Sequence, residues 1–448
     1  MLKQQPWFTP DGGIEFEYVQ ACDEGLDASV LKDDFDAVSA LSAGSPEKIK
    51  KACALYEKTG SLDKRAGYPY EEPSDLEGIV KCRPQKAELV KCDFGSEERF
   101  DRVYGAWLAR CAGCLLGQPV EGWKRERING LCVDTGNFPA GNYLSSDIPG
   151  EIAERYLVTD KTGKRTVNWI NNVSCMPEDD DTNYTIIGLK ILETYGRDFT
   201  SSDVAECWLQ NLPMLHLCTA ERVAYRNIAC GVFPPASATY RNPFREWIGA
   251  QIRADFFGYI SPGDPEKASE YAWRDASVSH VKNGVYGEML VAAMLAAAAV
   301  SDDMQTVIRA GMSVIPDRSR LADKIREVIV LRERGVTYEQ VADYIHSLYD
   351  EGREYDWCHT IPNAMIVVSA LLYGEGTLEN TLARALMCGF DTDCNCATAG
   401  SVIGMMLGAQ ALPAKWISPL HDTVISGVDG FGKISIYQLA RRTMAFID

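Results

Sequence analysis

The chain has 448 residues, of which 46% are apolar and 24% are charged, and its 45 basic and 63 acidic side chains give a net charge of −18. This composition is typical of a globular protein with enough apolar material for a large core. The negative charge argues against binding to nucleic acid or to anionic lipid, because no basic run offsets the repulsion.

No stretch of the sequence has the pattern of a membrane span or of a secretion signal. The longest apolar stretch, residues 289–300 (MLVAAMLAAAAV), is shorter than the roughly 20 residues needed to cross a bilayer, and it predicts a buried helix. The opening MLKQQPWFTPDGG lacks an apolar signal region. The fifteen cysteines lack the spacing of a zinc site and are interpreted as reduced thiols. We therefore expect a cytoplasmic protein without a membrane partner.

Two regions of different character follow one another along the chain. Residues 1–95 are rich in charge and contain two short helical patterns, at 28–41 and 46–58, followed by the turn-rich run GYPYEEPSDLEG from Gly67. From Phe100 onward, segments rich in Ala, Gly, Leu and Ile alternate with short turns. The sequence predicts an accessory N-terminal helical segment at 1–95 and a main domain at 96–448. It leaves open whether the first segment covers a site or packs on the flank.

Apolar residues of the main domain recur with the period of an α-helix. Positions 184, 187, 188, 191, 192 and 195 follow this spacing, and positions 399, 402, 403, 406, 407 and 410 repeat it. Glycines such as Gly400 and Gly404 allow neighbouring helices to approach closely. Residues 130–178 mix turns with short β-prone pieces and allow a small hairpin at 156–167. The expected fold is all-α, an orthogonal helical bundle.

Three motifs place acidic side chains beside predicted helix ends. Residues 178–182 (EDDDT) stand before a helix expected to begin near Asn183, and residues 389–395 (GFDTDCN) stand before another. Capping explains one carboxylate at each place, but three consecutive aspartates repel one another and provide the adjacent oxygen ligands that Mg²⁺ requires. The Asp391-x-Asp393 pair alone is equally consistent with a solvated turn. In the third motif, residues 113–122 (GCLLGQPVEG), composition favours an exposed acid at Glu121.

These motifs resemble those of the ADP-ribosylglycohydrolase family over about residues 100–420. The family patterns GDALGxPxE, (T/S)DDT and GGDTDT correspond here to GCLLGQPVE (113–121), DDDT (179–182) and GFDTDC (389–394), and the last is followed by a small-residue helix and Leu412-Pro413-x-x-Trp416. The resemblance implies an orthogonal bundle of the ADP-ribosylglycohydrolase type with residues 96–448 as its catalytic domain. It also implies a magnesium-dependent hydrolase that cleaves the glycosidic bond between ADP-ribose, or a related ribosyl group, and its acceptor.

Carried over by motif position, the resemblance implies a site with two Mg²⁺ ions, for which Mn²⁺ is an alternative. Its implied metal ligands are Asp179, Asp180, Asp181, Asp391 and Asp393. Because a glycosidic bond needs a proton donor for the leaving group and a base for water, Glu121 is the candidate for one role and Asp180 or Asp181 for the other. The candidates for substrate binding are Glu121, His280, Asn283, Gly284, Tyr286 and Gly287.

Three positions depart from the family motifs. Cys114 stands where the family has Asp, Asp179 where it has Thr or Ser, and Cys394 where it has Thr. A thiol is a poor partner for Mg²⁺, although Asp179 can supply an oxygen in its place.

Two alternatives stay open. The chain can hydrolyse a small N- or O-ribosyl metabolite instead of an ADP-ribosylated protein. It can also be a non-catalytic member that binds ADP-ribose or serves a structural, crystallin-like role, although clustered acids without a function would cost stability. The acceptor group, the anomer and the oligomeric state are left open.

Overall fold

In the computed structural model of the protein, the described residues are 6–85, 94–158 and 168–447. The helices before residue 95 are α1 (Ile14–Asp23), α2 (Lys32–Ser39), α3 (Pro46–Thr59) and α4 (Leu76–Cys82). Those that follow up to residue 260 are α5 (Ser96–Gly117), α6 (Arg125–Asp134), α7 (Gly150–Arg155), α8 (Asp180–Tyr195), α9 (Ser201–Asn211), α10 (Ala220–Ala229), α11 (Ala236–Thr239) and α12 (Asp255–Tyr259).

The rest of the chain is again helical. Its helices are α13 (Pro265–Ala276), α14 (Lys282–Ala298), α15 (Met304–Met312), α16 (Arg320–Glu333), α17 (Tyr338–Leu348), α18 (Glu354–Trp357), α19 (Thr360–Tyr373), α20 (Leu378–Met387), α21 (Thr392–Leu407), α22 (Ala414–Ile417) and α23 (Ile436–Thr443). Two short strands, β1 (Thr423–Ile425) and β2 (Lys433–Ser435), pair antiparallel with Val424 opposite Ile434. The fold is therefore all-α, as predicted.

Local sequence signals set the ends of these helices. Ser45 caps α3 by accepting a hydrogen bond from the Lys48 backbone N at 3.2 Å, and Pro46 occupies the first helical position, where its missing N–H costs nothing. Helices α8 and α21 end at Gly196 and Gly408, whose φ angles of 71° and 74° suit glycine.

Among the described helices, α5 and α21 are the most extensively packed pair. They run antiparallel, since Gly105 of α5 faces Gly404 of α21 whereas Gly117 faces Asp393. Glycines permit this contact, since a Cβ at Gly404 would lie 2.5 Å from the Gly105 carbonyl oxygen and one at Gly400 would lie 2.5 Å from the Ala109 carbonyl oxygen. The end of α5 consequently lies against the beginning of α21. Two of the acidic motifs occupy these two helix ends.

The N-terminal segment has a small apolar cluster of its own and is joined to the main domain by buried ion pairs. The cluster consists of Ile14, Phe35, Val38, Ala52, Leu55 and Tyr56. Arg245 pairs with Glu17 and with Glu24, each at 2.6 Å, and all three side chains are buried. Removing one partner of such a pair costs about 3–5 kcal/mol, so the segment contributes to the stability of the whole chain.

The turn-rich run from Gly67 packs on the flank of the main domain. Glu72 pairs with Arg320 at the start of α16, with 3.0 Å between the nearest oxygen and nitrogen, and it accepts a hydrogen bond from the Asn283 side chain at 2.8 Å. The Tyr286 hydroxyl donates to the Pro73 carbonyl oxygen. These contacts fix the run against the beginning of α14.

The predicted apolar stripes of the main domain fall within helices of the structure. The stripe at 184–195 lies within α8, and the stripe at 399–410 lies within α21 up to Leu407. The apolar stretch at 289–300 falls mainly in α14 and is buried. The predicted hairpin at 156–167 lies mostly outside the described residues. Of the described helices, none is both long and apolar enough to cross a membrane.

Candidate functional site

The three acidic motifs meet at one place, where the end of α5 and the N-termini of α8 and α21 come together. Gly117 makes this approach possible, because a Cβ there would lie 2.4 Å from the Asp393 backbone N and from the Thr392 carbonyl oxygen. The Thr392 hydroxyl donates to the Gly117 carbonyl oxygen at 3.0 Å. The contact fixes the distance between the Glu121 turn and the Asp391 turn.

Helix α8 begins at Asp180, three residues earlier than predicted, because Asp179 is its cap. One Asp179 carboxylate oxygen accepts a hydrogen bond from the Asp181 backbone N at 2.9 Å, and the other accepts one from the Gln118 side chain. Asp180 and Asp181 therefore lie in the first helical turn.

Carboxylates and thiols of these motifs form three overlapping groups whose ligand atoms lie within 4.8 Å of one another. One group consists of Glu121, Asp391 and Asp393, the second of Asp181, Asp393 and Cys394, and the third of Cys114, Asp179 and Asp181. The structure thus brings together four of the five predicted metal ligands with Glu121. Asp180 belongs to none of these groups, although it lines the cavity beside them.

Arg110 of α5 neutralises part of this charge from the protein interior. Its guanidinium lies 2.9 Å from an Asp255 carboxylate oxygen, donates to the Asp181 carbonyl oxygen at 2.7 Å, and lies 3.5 Å from an Asp181 carboxylate oxygen. All three side chains are fully buried. Arg110 thereby holds Asp181 in place, a role that the sequence motifs did not indicate.

The acid cluster carries more negative charge than its surroundings compensate. Burial, with the neighbouring carboxylates second, raises the pKa values of Asp180, Asp181 and Asp393 well above 3.8. Burial also raises the pKa of Asp391. Carboxylates in this state gain free energy when a cation neutralises them.

The acids open on a cavity of about 130 Å³. Glu121, Asp180, Asp391 and Asp393 line it on the side of the helix N-termini. Other parts of the chain supply further lining residues: Trp7, Cys218, Thr219, Trp247, Ile248, Gly249, Ile252, Glu354, Trp357, Cys358 and Cys394. The cavity therefore combines a carboxylate side with an aromatic side.

The aromatic side was not predicted, because its residues come from distant parts of the sequence. Trp7 belongs to the 3₁₀ turn Pro6–Phe8 of the N-terminal segment, and the Arg222 guanidinium lies 4.7 Å from its ring centroid. Trp7 and Trp247 both pack against Phe244, with centroid distances of 6.5 and 4.7 Å. No short motif links these positions, so only their packing reveals them.

The other residues predicted to bind substrate lie elsewhere, in the buried start of α14. His280, Asn283, Gly284, Tyr286 and Gly287 do not line this cavity. Asn283 and Tyr286 hydrogen-bond to the turn at Glu72 and Pro73, and a Cβ at Gly287 would lie 2.5 Å from the Thr360 side chain. All five residues are buried, and the two hydrogen bonds hold Asn283 and Tyr286 against the N-terminal segment.

The three groups differ in how well their donor atoms suit the Mg²⁺ that the motifs imply. The group of Glu121, Asp391 and Asp393 offers oxygen atoms only, and one Asp393 carboxylate oxygen is buried without a hydrogen-bond partner among the described residues. A hard cation with oxygen ligands fits this group. The other two groups each contain a thiol, which fits Mg²⁺ poorly.

Comparison with protein-family models gives a match to ADP-ribosylglycohydrolase over residues 95–446. A solved structure described as "ADP-ribosylglycohydrolase-related protein complex" is similar to the chain at 18% sequence identity and a TM-score of 0.44, over 78% of this chain and 98% of the other. The comparison with curated proteins gave no match. The family match begins where the charged N-terminal segment ends, and it includes all three acidic motifs.

Proposed function

The chain belongs to the ADP-ribosylglycohydrolase family and is a glycoside hydrolase of that type. From this premise we propose that it cleaves the glycosidic bond between ADP-ribose, or a related ribosyl group, and its acceptor. The observation that carries the proposal is that Glu121, Asp180, Asp391 and Asp393 line the same cavity. A cytoplasmic location is part of the proposal, since the described cysteines are free thiols, as is usual in a reducing compartment.

The proposed cofactor is a pair of divalent cations, with Mg²⁺, or Mn²⁺ in its place, at the all-oxygen group. Asp391 and Asp393 would hold the ion there, with Glu121 beside it, and Asp179 and Asp181 would contribute to the second position. A divalent ion held there would neutralise these carboxylates and would supply Lewis-acid polarisation of the bound sugar. The partly buried Asp180 faces the cavity beside them.

Glu121 and Asp180 are the proposed proton-transfer pair. Glu121 is exposed and follows the 3₁₀ turn Gln118–Val120, so its carboxylate can exchange protons with water. In hydrolysis the bond from the anomeric carbon to the acceptor atom breaks, and the electron pair leaves with the acceptor. One carboxyl gives that atom a proton, while the other takes a proton from the attacking water. Asp181 is fully buried against Arg110, so we assign it to metal binding and not to proton transfer.

The small cavity favours a second candidate function, hydrolysis of a small N- or O-ribosyl conjugate. Its volume of about 130 Å³ is below the roughly 300–1,000 Å³ of pockets that enclose drug-sized ligands. A single ribosyl ring with a planar leaving group against Trp7, Trp247 and Trp357 suits this space better than a complete ADP-ribose does.

The two functions are separated by measuring the products released from defined conjugates. Arginine-linked and serine-linked ADP-ribose and small free N-ribosides are incubated with the protein, with Mg²⁺ or with a chelator. Mg²⁺-dependent release of ADP-ribose supports the first function, and release of ribose from the small conjugates alone supports the second. The absence of release from every conjugate would refute both.

A variant of a proposed metal ligand tests the site itself. Asp391→Asn should lower the Mg²⁺-dependent rate by at least about 100-fold, because it weakens a carboxylate ligand while it keeps the volume of the side chain. Asp303→Asn is the matched control, since Asp303 caps α15 and does not line the cavity. Circular dichroism should show the same helical content in both variants. Full turnover by Asp391→Asn would remove this residue from the site.

A further inference from the structure

The two positions of the acid cluster differ in the kind of donor atom they offer. The group of Glu121, Asp391 and Asp393 contains oxygen donors only. Both groups that include Asp181 contain a thiol, Cys394 in one and Cys114 in the other. A cation bound beside Asp181 therefore has a thiol among its candidate ligands. The group beside Glu121 consists of carboxylates, with the Cys358 thiol 3.8 Å from Asp391 Oδ2.

The thiol-containing position has features of a ligand site that packing does not explain. Asp393, which this group shares with the all-oxygen group, is 3% exposed, and its Oδ1 atom has no hydrogen-bond partner among the described residues. The Cys394 thiol donates to an Asp181 carboxylate oxygen at 3.2 Å, and Cys394 lines the same cavity as Asp393. A buried carboxylate oxygen left without a donor is unfavourable, and a bound cation would remove this cost.

We propose that the position beside Asp181 binds a thiophilic divalent ion of the Zn²⁺ class, with Asp181, Asp393 and Cys394 as ligands and Cys114, which also lies near Asp181, as the alternative sulfur donor, while the position beside Glu121 binds Mg²⁺. The inference rests on the proposed metal centre, whose two positions would then bind two different metals. Three protein ligands and an open fourth position are the usual set at a catalytic zinc ion, and thiolate selects such ions over Mg²⁺. Each thiol that coordinates the ion releases its proton to solvent.

The test uses Co²⁺ as a spectroscopic probe on the full-length protein. Metal-free protein is saturated with Mg²⁺ and then titrated with Co²⁺, and the near-ultraviolet absorption of a cobalt–thiolate bond is recorded. One equivalent of Co²⁺ should produce this absorption in the presence of Mg²⁺, and Zn²⁺ should abolish it by displacement. Absence of the absorption when calorimetry shows that Co²⁺ is bound would overturn the inference.

Variants identify the sulfur ligand. Cys394→Thr should remove most of the absorption and lower the ratio of Zn²⁺ to Mg²⁺ affinity by at least about tenfold, and the Cys114→Ser/Cys394→Thr double variant should remove the absorption entirely. Cys132→Ser is the control, because Cys132 is a buried thiol of α6 outside the three groups. An unchanged absorption in the double variant would refute the assignment.

The outcome is independent of the hydrolase assay. Mg²⁺-dependent hydrolysis without a cobalt–thiolate absorption would refute this inference and leave the proposed function standing. A cobalt–thiolate absorption in a protein that hydrolyses none of the conjugates would support the mixed metal site and refute the proposed substrate classes.

Discussion

Replacing Gly117 by Ala should disturb the metal site through the backbone contact between α5 and α21. The new Cβ would lie 2.4 Å from the Asp393 backbone N, whereas Cβ atoms essentially never approach another heavy atom closer than 3.0 Å. The two helix ends must therefore separate by at least 0.6 Å, the difference between these two distances. Overpacking of this kind costs about 1–3 kcal/mol of stability. Functional constellations tolerate displacements of only about 0.5 Å, so metal affinity should fall by about 10–100-fold as well.

Gly404→Ala provides a matched control on the same helix pair. Its Cβ would lie 2.5 Å from the Gly105 carbonyl oxygen, so the steric conflict is nearly equal, but Gly404 lies twelve residues after Thr392, or about 18 Å along α21. Both variants should lose about 1–3 kcal/mol in denaturant unfolding. Only Gly117→Ala should lose affinity for Mg²⁺ or Mn²⁺ when metal binding is measured by calorimetry.

Equal metal affinities in the two variants would refute this reasoning. They would show that the contact between the helix ends does not set the geometry of the carboxylates. Unchanged stability in both variants would show instead that the α5–α21 interface relaxes around a methyl group at little cost.

Three further predictions concern the charge and the aromatic side of the cavity. Arg110→Met leaves Asp181 and Asp255 buried without their cation. The free energy of unfolding, measured with denaturant, should therefore fall by about 3–5 kcal/mol, and a loss below about 1 kcal/mol would contradict the assigned ion pairs. In the metal-free protein, burial and neighbouring carboxylates raise the pKa of Asp393. The protonated side chain therefore contributes fully to stability below pH 3.8, its pKa in the unfolded chain, and this contribution is lost as the pH rises through the higher pKa of the folded state. The free energy of unfolding with a chelator should therefore decline more steeply with rising pH in the wild type than in Asp393→Asn, and parallel curves would contradict this. Trp7→Ala should raise KM for conjugates with a planar aromatic leaving group by up to about tenfold but should not raise it for serine-linked conjugates. Trp7→Phe should stay close to the wild type, and equal changes in KM for both kinds of substrate would argue against stacking.

The sequence predicted the helices and the acidic motifs because both are local properties. Apolar residues at 184–195 and 399–407 repeat with the helical period, and the structure has α8 and α21 at these positions. Asp391 and Asp393 were recognised because carboxylates in a turn before a small-residue helix form a short pattern. The start of α8 was misplaced by three residues because capping by Asp179 depends on a single hydrogen bond, to the Asp181 backbone N.

The substrate-binding candidates near the start of α14 show what short motifs cannot determine. His280 and Asn283 precede an Ala-rich helix, which is a pattern that a ligand site and a buried helix start share. In the structure Asn283 bonds to Glu72, and burial, with Arg253 second, holds the pKa of His280 well below its usual value. Whether a polar side chain faces a cavity or a neighbouring segment depends on contacts between residues far apart in sequence.

The sequence by itself determined the all-α class, the family and the residue types available for chemistry, since periodicity and short motifs are properties of neighbouring residues. Only the tertiary structure decided which of them stand together. The backbone contact at Gly117 places Glu121 beside Asp391 and Asp393, the buried Arg110 fixes Asp181, and Trp7 reaches the cavity from a segment that precedes the family match. These are contacts across 70 or more residues, and their free energy comes from packing and charge pairing that exist only once the chain has folded.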